Sequence, residues 1–125
     1  MAYKPPAFQF YAKDFLTGTS AMSNAATGAY IRLLCHAWDS TPIATLPADE
    51  YSLFKLSGAD SQDEWKSYRE AVLSKFEKRD GRLVNKRLME YFVELAEHHK
   101  EMSDRGKKGA AARHGKNGQA NEDEA

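Results

Sequence analysis

The sequence holds a single cysteine, Cys35, among its 125 residues. An intrachain disulfide is therefore impossible, and a cysteine-coordinated zinc site is out of reach. Cys35 lies in the apolar run YIRLLCHAW, where a reduced core thiol is expected. No apolar stretch approaches the roughly 20 residues that cross a bilayer, and the first residues lack the apolar core of a signal peptide. A soluble cytoplasmic protein is expected, with no membrane partner. Net charge is also missing, since 18 basic residues balance 18 acidic ones.

What is present is a globular composition, 42% hydrophobic and 11% aromatic. A chain of this length can bury one modest core, so one domain is the starting expectation. The zero charge hides an uneven distribution. Residues 1–60 and 61–104 each carry a net of −1, residues 105–118 carry +5, and Glu122, Asp123 and Glu124 close the chain with −3. A balanced total thus leaves room for local anion binding.

AFQFYAKDF alternates Phe8, Phe10 and Ala12 with Gln9, Tyr11 and Lys13, a period of two that predicts a short N-terminal strand. TGTSAMSN supplies turn and cap residues, with Ser23 or Asn24 as the cap of a helix over about 24–39. Ala26, Tyr30, Leu33, Leu34 and Trp38 fall on one face of that helix. TLPADEYSLFKLSG reads as a second, short helix, with Pro47 at its first position, Asp49 and Glu50 in its first turn and Gly58 as its stop. SQDE opens a third, because Ser61 and Glu64 have capping-box spacing. Trp65, Tyr68, Val72 and Phe76 mark its inner stripe. The short turn SGAD between two amphipathic helices predicts a helix-turn-helix.

FEKRDGRLVNKRL follows, from Phe76 to Leu88. Its Asp-Gly pair suits a type I′ turn, so a hairpin is expected, with strands at about 75–79 and 82–85. Phe76 and Leu83 are the expected inward anchors. Asn85 can cap a last helix whose inner face holds Leu88, Tyr91, Phe92, Leu95 and Met102. Tyr30, Trp38, Trp65, Phe76 and Leu88 are expected to be buried together. Three helices followed by a two-stranded hairpin is the order of a winged helix. The fold class expected is mainly α with a small β component: a winged helix-turn-helix with a short N-terminal strand, three helices, a hairpin wing and a long C-terminal helix. After Met102 the sequence loses its aromatic and large aliphatic residues, so residues 1–102 are read as the domain and 103–125 as a flexible Gly/Lys-rich tail with an acidic tip. The rival reading is that GAAARHG extends the last helix, since alanine has the highest helix propensity.

Taken in order, YAKDFL, MSNAATGAYIRLLCHAW, LPADEYSLFKLSG, EWKSYREAVLSKF, DGRLVNKRL and SDRGKKGAAARHG resemble the YdaU-like family of phage and prophage proteins. The resemblance covers about residues 7–115. It implies a winged-helix N-terminal domain, a Gly-Lys-rich linker, a bacterial host cytoplasm and a role in initiating or organising DNA replication. It implies no catalytic residue.

Enzyme and metal chemistry find little support in the residues. His98 and His99 are adjacent, so on a helix they diverge by about 100° and do not share a metal easily. Gly109 and Gly115 are separated by five residues where a phosphate loop needs four, and Asn117 stands where a Ser or Thr is required. Glu90, Glu94, Glu97 and Glu101 lack the Glu-x-x-His pattern of a di-metal site and read as a solvated face. No enzyme activity and no cofactor are expected. The expected partner is double-stranded DNA, with host or phage replication proteins as further partners. The candidate contacts are Lys66 and Arg69 on the third helix, Lys75, Lys78, Arg79, Arg82 and Lys86 around the wing, and Arg105, Lys107, Lys108, Arg113 and Lys116 in the tail. Arg79 and Arg82 are expected to flank the turn and face solvent. Asp63 and Glu64 would repel phosphate at the start of the third helix, where a helix-turn-helix reads bases. Backbone contact is therefore expected over base readout. The alternative is a protein-docking module of a phage replication or helicase-loading complex.

Overall fold

The computed structural model describes the backbone of residues 3–117 and the side chains of residues 3–106. Its elements run α1 (Ala12–Gly18), α2 (Asn24–Trp38), β1 (Thr45–Pro47), α3 (Glu50–Ser57), α4 (Gln62–Leu73), β2 (Glu77–Arg79), β3 (Arg82–Val84) and α5 (Lys86–Asn117). The described residues are thus mainly helical, with one small antiparallel sheet ordered β1-β3-β2. Two compact units divide the chain, Met1–Phe92 and Val93–Ala125.

Local hydrogen-bond chemistry sets the helix starts. The Ser23 side chain accepts from the Ala26 amide at 3.1 Å and caps α2. Ser61 does the same for α4 through Glu64, also at 3.1 Å. The reciprocal half of the expected box is replaced, because the Glu64 carboxylate instead accepts from the Tyr68 hydroxyl at 2.7 Å. Asp49, expected within the first turn of α3, is its cap and accepts from the Ser52 amide at 3.0 Å. Those short contacts hold its carboxyl below the usual range. Gly58 ends α3 in the left-handed region at φ 76°.

The short strands are decided by distant partners. Pro47 does not open a helix. It ends β1, which pairs antiparallel with β3 in the register Thr45↔Val84 and Pro47↔Arg82. The missing amide of proline is tolerated there because β1 is an edge strand. The N-terminal strand expected over AFQFYAKDF is absent, since no neighbouring strand offers it a ladder. Residues 4–11 run without regular structure instead and then enter α1. The segment is held by its side chains and termini: Phe8 packs on Trp38 with centroids 5.3 Å apart, and the Trp38 indole donates to the Pro5 carbonyl at 2.9 Å.

α2 is the central element and packs against α3, α4 and β1. Leu33, Leu34, Ala37 and Trp38 of α2, Leu46, Leu53, Trp65, Val72, Val84 and Leu88 form the buried core. Of the five residues expected to share it, Trp38, Trp65, Phe76 and Leu88 are buried. Tyr30 is half-buried, stacked on Phe15 at 5.7 Å and edge-on to Phe76 at 6.2 Å. Val84 rather than Leu83 is the buried residue of β3, because the pairing register turns Val84 inward. Cys35 is exposed, not a core thiol, since it falls on the outer face of α2 between Leu34 and His36.

Helix α5 does not stop at Met102 but continues as helix to Asn117, the course that the alanine run Ala110–Ala112 favours. Met102, placed on the inner face by spacing, is 47% exposed. Glu90, Glu94, Glu97 and Glu101 are all exposed, as a solvated face requires. Among the described residues no three His, Cys, Asp or Glu side chains group as a metal site would need. No helix there is long and apolar enough to cross a membrane.

Candidate nucleic-acid interface

The hairpin between α4 and α5 concentrates the cations. Asp80 and Gly81 form its turn with φ of 54° and 79°, the pair of positive angles that a type I′ turn needs. Asp tolerates that region through its short polar side chain, and glycine does so freely. The register places Arg79 opposite Arg82 and Lys78 opposite Leu83. Every residue of β2 is exposed, so Lys78 and Arg79 stand in water on the outer strand.

Two arginines facing one another across a turn repel, and each is drawn aside. Arg79 pairs with Glu77 on its own strand. Arg82 turns toward β1, where its Nε donates to the Thr45 hydroxyl at 2.9 Å. That hydroxyl in turn donates to the Pro42 carbonyl at 2.6 Å. Arg82 is therefore half-buried and fixed. This corrects the expectation that both arginines face solvent: Arg79 does, and Arg82 braces the sheet.

Behind the hairpin lies one buried polar side chain, Asn85, only 4% exposed. Its Oδ1 accepts from the Leu88 amide at 2.9 Å and caps α5. Its Nδ2 donates to the Lys75 carbonyl at 3.0 Å. One amide thus ties the end of α4 to the start of α5, closing the base of the hairpin. Lys75 is half-buried, and Lys86 is exposed on the first turn of α5. Burial also pushes up the pKa of the nearby Tyr30 phenol, against the smaller opposing effects of Asn85 and Arg87.

The α3–α4 pair presents a different surface. The turn between them brings Gly58 against α2 so closely that a Cβ there would lie 2.7 Å from Cδ of Arg32. Asp63 and Glu64 occupy the first turn of α4. Lys66 is exposed. Arg69 is held by both oxygens of Glu50 on α3, with Nε to Oε1 at 3.1 Å, so its charge is already matched. Arg105 is exposed, and its guanidinium lies 3.8 Å from the Met102 sulfur. The side chains of Lys107, Lys108, Arg113 and Lys116 lie outside the described residues, as does the acidic tip.

The structure thus gathers Lys75, Lys78, Arg79, Arg82 and Lys86 around one hairpin, ties Arg69 to Glu50 and gives Lys66 a place on α4. Sequence spacing alone missed Arg87, which follows Lys86 in the first turn of α5 and pairs with Asp14 of α1. It also missed the cluster of rings around Arg87. The i, i+4 spacing of Tyr11 and Phe15, followed by Thr17-Gly18-Thr19, was the available sign that this segment is helical rather than extended.

These features define a small helical domain whose three-stranded sheet holds out a basic hairpin. The chain belongs to the family described as Protein of unknown function (DUF1376), whose model matches residues 6–92. That match ends at Phe92, where the first compact unit also ends. No curated protein and no solved structure matches the chain.

Proposed function

We propose that this chain is a winged-helix protein of a phage or prophage replication system that docks on duplex DNA mainly through backbone contacts. The observation that carries the reading is the β2–β3 hairpin: a type I′ tip with Lys78 and Arg79 exposed on its outer strand, in a chain with no net charge. The order α2-β1-α3-α4-β2-β3, with β1 paired to β3, supports the winged-helix assignment. The YdaU-like resemblance supports the replication role. Lys75 and Lys86 stand at the base of the hairpin and Lys66 on α4. Arg105, Lys107, Lys108, Arg113 and Lys116 extend the cationic reach along the chain. Lys and Arg contacts to phosphate position a protein without reading sequence, which fits a helix α4 whose first turn is acidic.

Titration against duplexes of unrelated sequence, at two salt concentrations, tests this. The Lys78→Ala/Arg79→Ala protein should bind all duplexes more weakly, with a log–log salt slope shallower by roughly 2, one counterion per lost phosphate contact. Unchanged affinity at low salt would reject the hairpin as the contact surface. A second reading, docking to a replication protein, is favoured by one observation: α4 presents Asp63 and Glu64 and has its Arg69 neutralised by Glu50, while Tyr51 beside them on α3 is 62% exposed.

A further inference from the structure

On the α1 side of the first unit is a cavity of about 210 Å³ that the duplex reading leaves unused. Its walls are rings: Phe8, Phe10, Tyr11, Phe15, Tyr30 and Tyr91 all line it. Apart from Phe8 they fall into two groups, Phe10 with Phe15 and Tyr30, and Tyr11 with Tyr91. Phe10 and Phe15 lie 5.0 Å apart, Phe15 and Tyr30 stack within 5° of parallel, and Tyr11 meets Tyr91 at 5.5 Å. Folding does not hide this apolar surface. Phe10 is 54% exposed and Tyr11 47%.

The rim is cationic. Arg87 lines the cavity, with its guanidinium 5.7 Å from the centre of the Tyr91 ring. Its Nε donates to the Tyr91 hydroxyl at 3.1 Å. Outside the lining, the Lys75 ammonium approaches Gly18, 3.9 Å from where a Cβ would stand. One acid is present, Asp14, and it pairs with Arg87. That pair is more than half exposed on both sides, so a phosphate can exchange for the carboxylate at little cost.

Aromatic faces beside Arg or Lys are what sequence-tolerant single-strand binders use, because every base has a π-face and every nucleotide a phosphate. The volume is below the ~300 Å³ where drug-sized pockets begin, which suits one planar ring rather than a folded ligand. We propose that this cavity takes an unpaired nucleobase of single-stranded nucleic acid, stacked on the Tyr11 and Phe10 rings, with Arg87 receiving a flanking phosphate. The stacking site lies on the N-terminal segment, α1 and the first turns of α5, apart from the exposed strand β2. It stands or falls separately from duplex binding by the hairpin.

Fluorescence anisotropy with labelled oligothymidylate, and with an abasic strand of equal length, tests the proposal. The wild-type protein should bind oligothymidylate about tenfold or more tightly than the abasic strand. Phe10→Ala/Tyr11→Ala should remove that preference while leaving duplex affinity unchanged, and Lys78→Ala/Arg79→Ala should do the reverse. Photocrosslinking of wild-type protein to a bromodeoxyuridine-containing strand needs no variant and should mark Tyr11, Phe10 or Tyr91. Equal binding of the two strands, a crosslink confined to the hairpin, or an oligothymidylate that does not bind at low salt overturns the proposal. The last is the result expected if the cavity instead receives an apolar peptide.

Discussion

Helices α4 and α5 begin with the same device and opposite charge. Ser61 and Asn85 each accept a hydrogen bond from the amide three residues on, so the free N–H groups of both first turns are treated alike. Behind the cap, α4 continues with Asp63 and Glu64, whereas α5 has no acid in its first turn and continues with Lys86 and Arg87. Acids there complement the helix dipole and cations oppose it, each by about 0.3–1 kcal/mol. The start of α4 is therefore arranged for stability. The start of α5 bears a dipole cost that the pairing of Arg87 with Asp14 offsets in part, which leaves the exposed Lys86 as its cation open to an external anion.

The largest effect expected in this pair lies just behind the α4 cap. Trp65 is 2% exposed and fully enclosed, so Trp65→Ala should destabilise by roughly 3–5 kcal/mol. Its indole N–H has no hydrogen-bond partner, so the loss should be packing alone. An unchanged denaturant midpoint would remove α4 from the core.

Next come the caps themselves. Ser61 is exposed, and Ser61→Ala should cost about 1 kcal/mol. Asn85→Ala removes a cap and leaves the part-buried Lys75 carbonyl without its donor, so roughly 2–3 kcal/mol is expected. Equal losses in urea melts would show that the second bond of Asn85 contributes nothing.

The charge contrast itself is tested by Lys86→Glu. Stability should rise by about 0.3–1 kcal/mol as the dipole is satisfied, and duplex affinity should fall. A protein that gains stability and keeps its affinity would break the link between the two.

Some of this architecture was legible in the sequence, and the division follows range. Ser61, Asn85, Gly58 and Asp80-Gly81 act on atoms a few residues away, so their residue types announce the caps, the stop and the turn. β1 was not legible, because Pro47 and Thr45 become a strand only when β3 arrives from residues 82–84. The alternation in AFQFYAKDF misled for the same reason: a period of two makes a strand only where a ladder partner exists. In the candidate site, Lys78 and Arg79 could be placed at an exposed tip from the turn alone. The engagement of Arg82 by Thr45 and of Arg69 by Glu50 could not, since both partners come from other elements.

The smallest expected effect sharpens the contrast at alkaline pH. The Tyr68 phenol, which donates to Glu64 in the first turn of α4, is pushed up to about 12 by burial first and by the Glu64 carboxylate second. The unfolded chain loses that proton near pH 10. Stability should therefore be unaffected below about pH 10 and fall between there and about pH 12, as the unfolded state ionises first. In Tyr68→Phe this part of the alkaline loss should vanish, which melts on either side of pH 10 would read.

The position of β3 in the middle of the sheet has a colloidal consequence. With β3 paired on both sides, β1 and β2 are the two margins of the sheet, β1 largely buried and β2 exposed throughout, and an exposed margin can recruit a strand from another molecule. Pro47 blunts one margin because it has no amide to offer, and on the other an antiparallel copy of β2 centred on Lys78 would set Lys78 against Lys78 while Glu77 and Arg79 attract. Lys78 is therefore the residue of β2 whose charge opposes edge-to-edge pairing in that register.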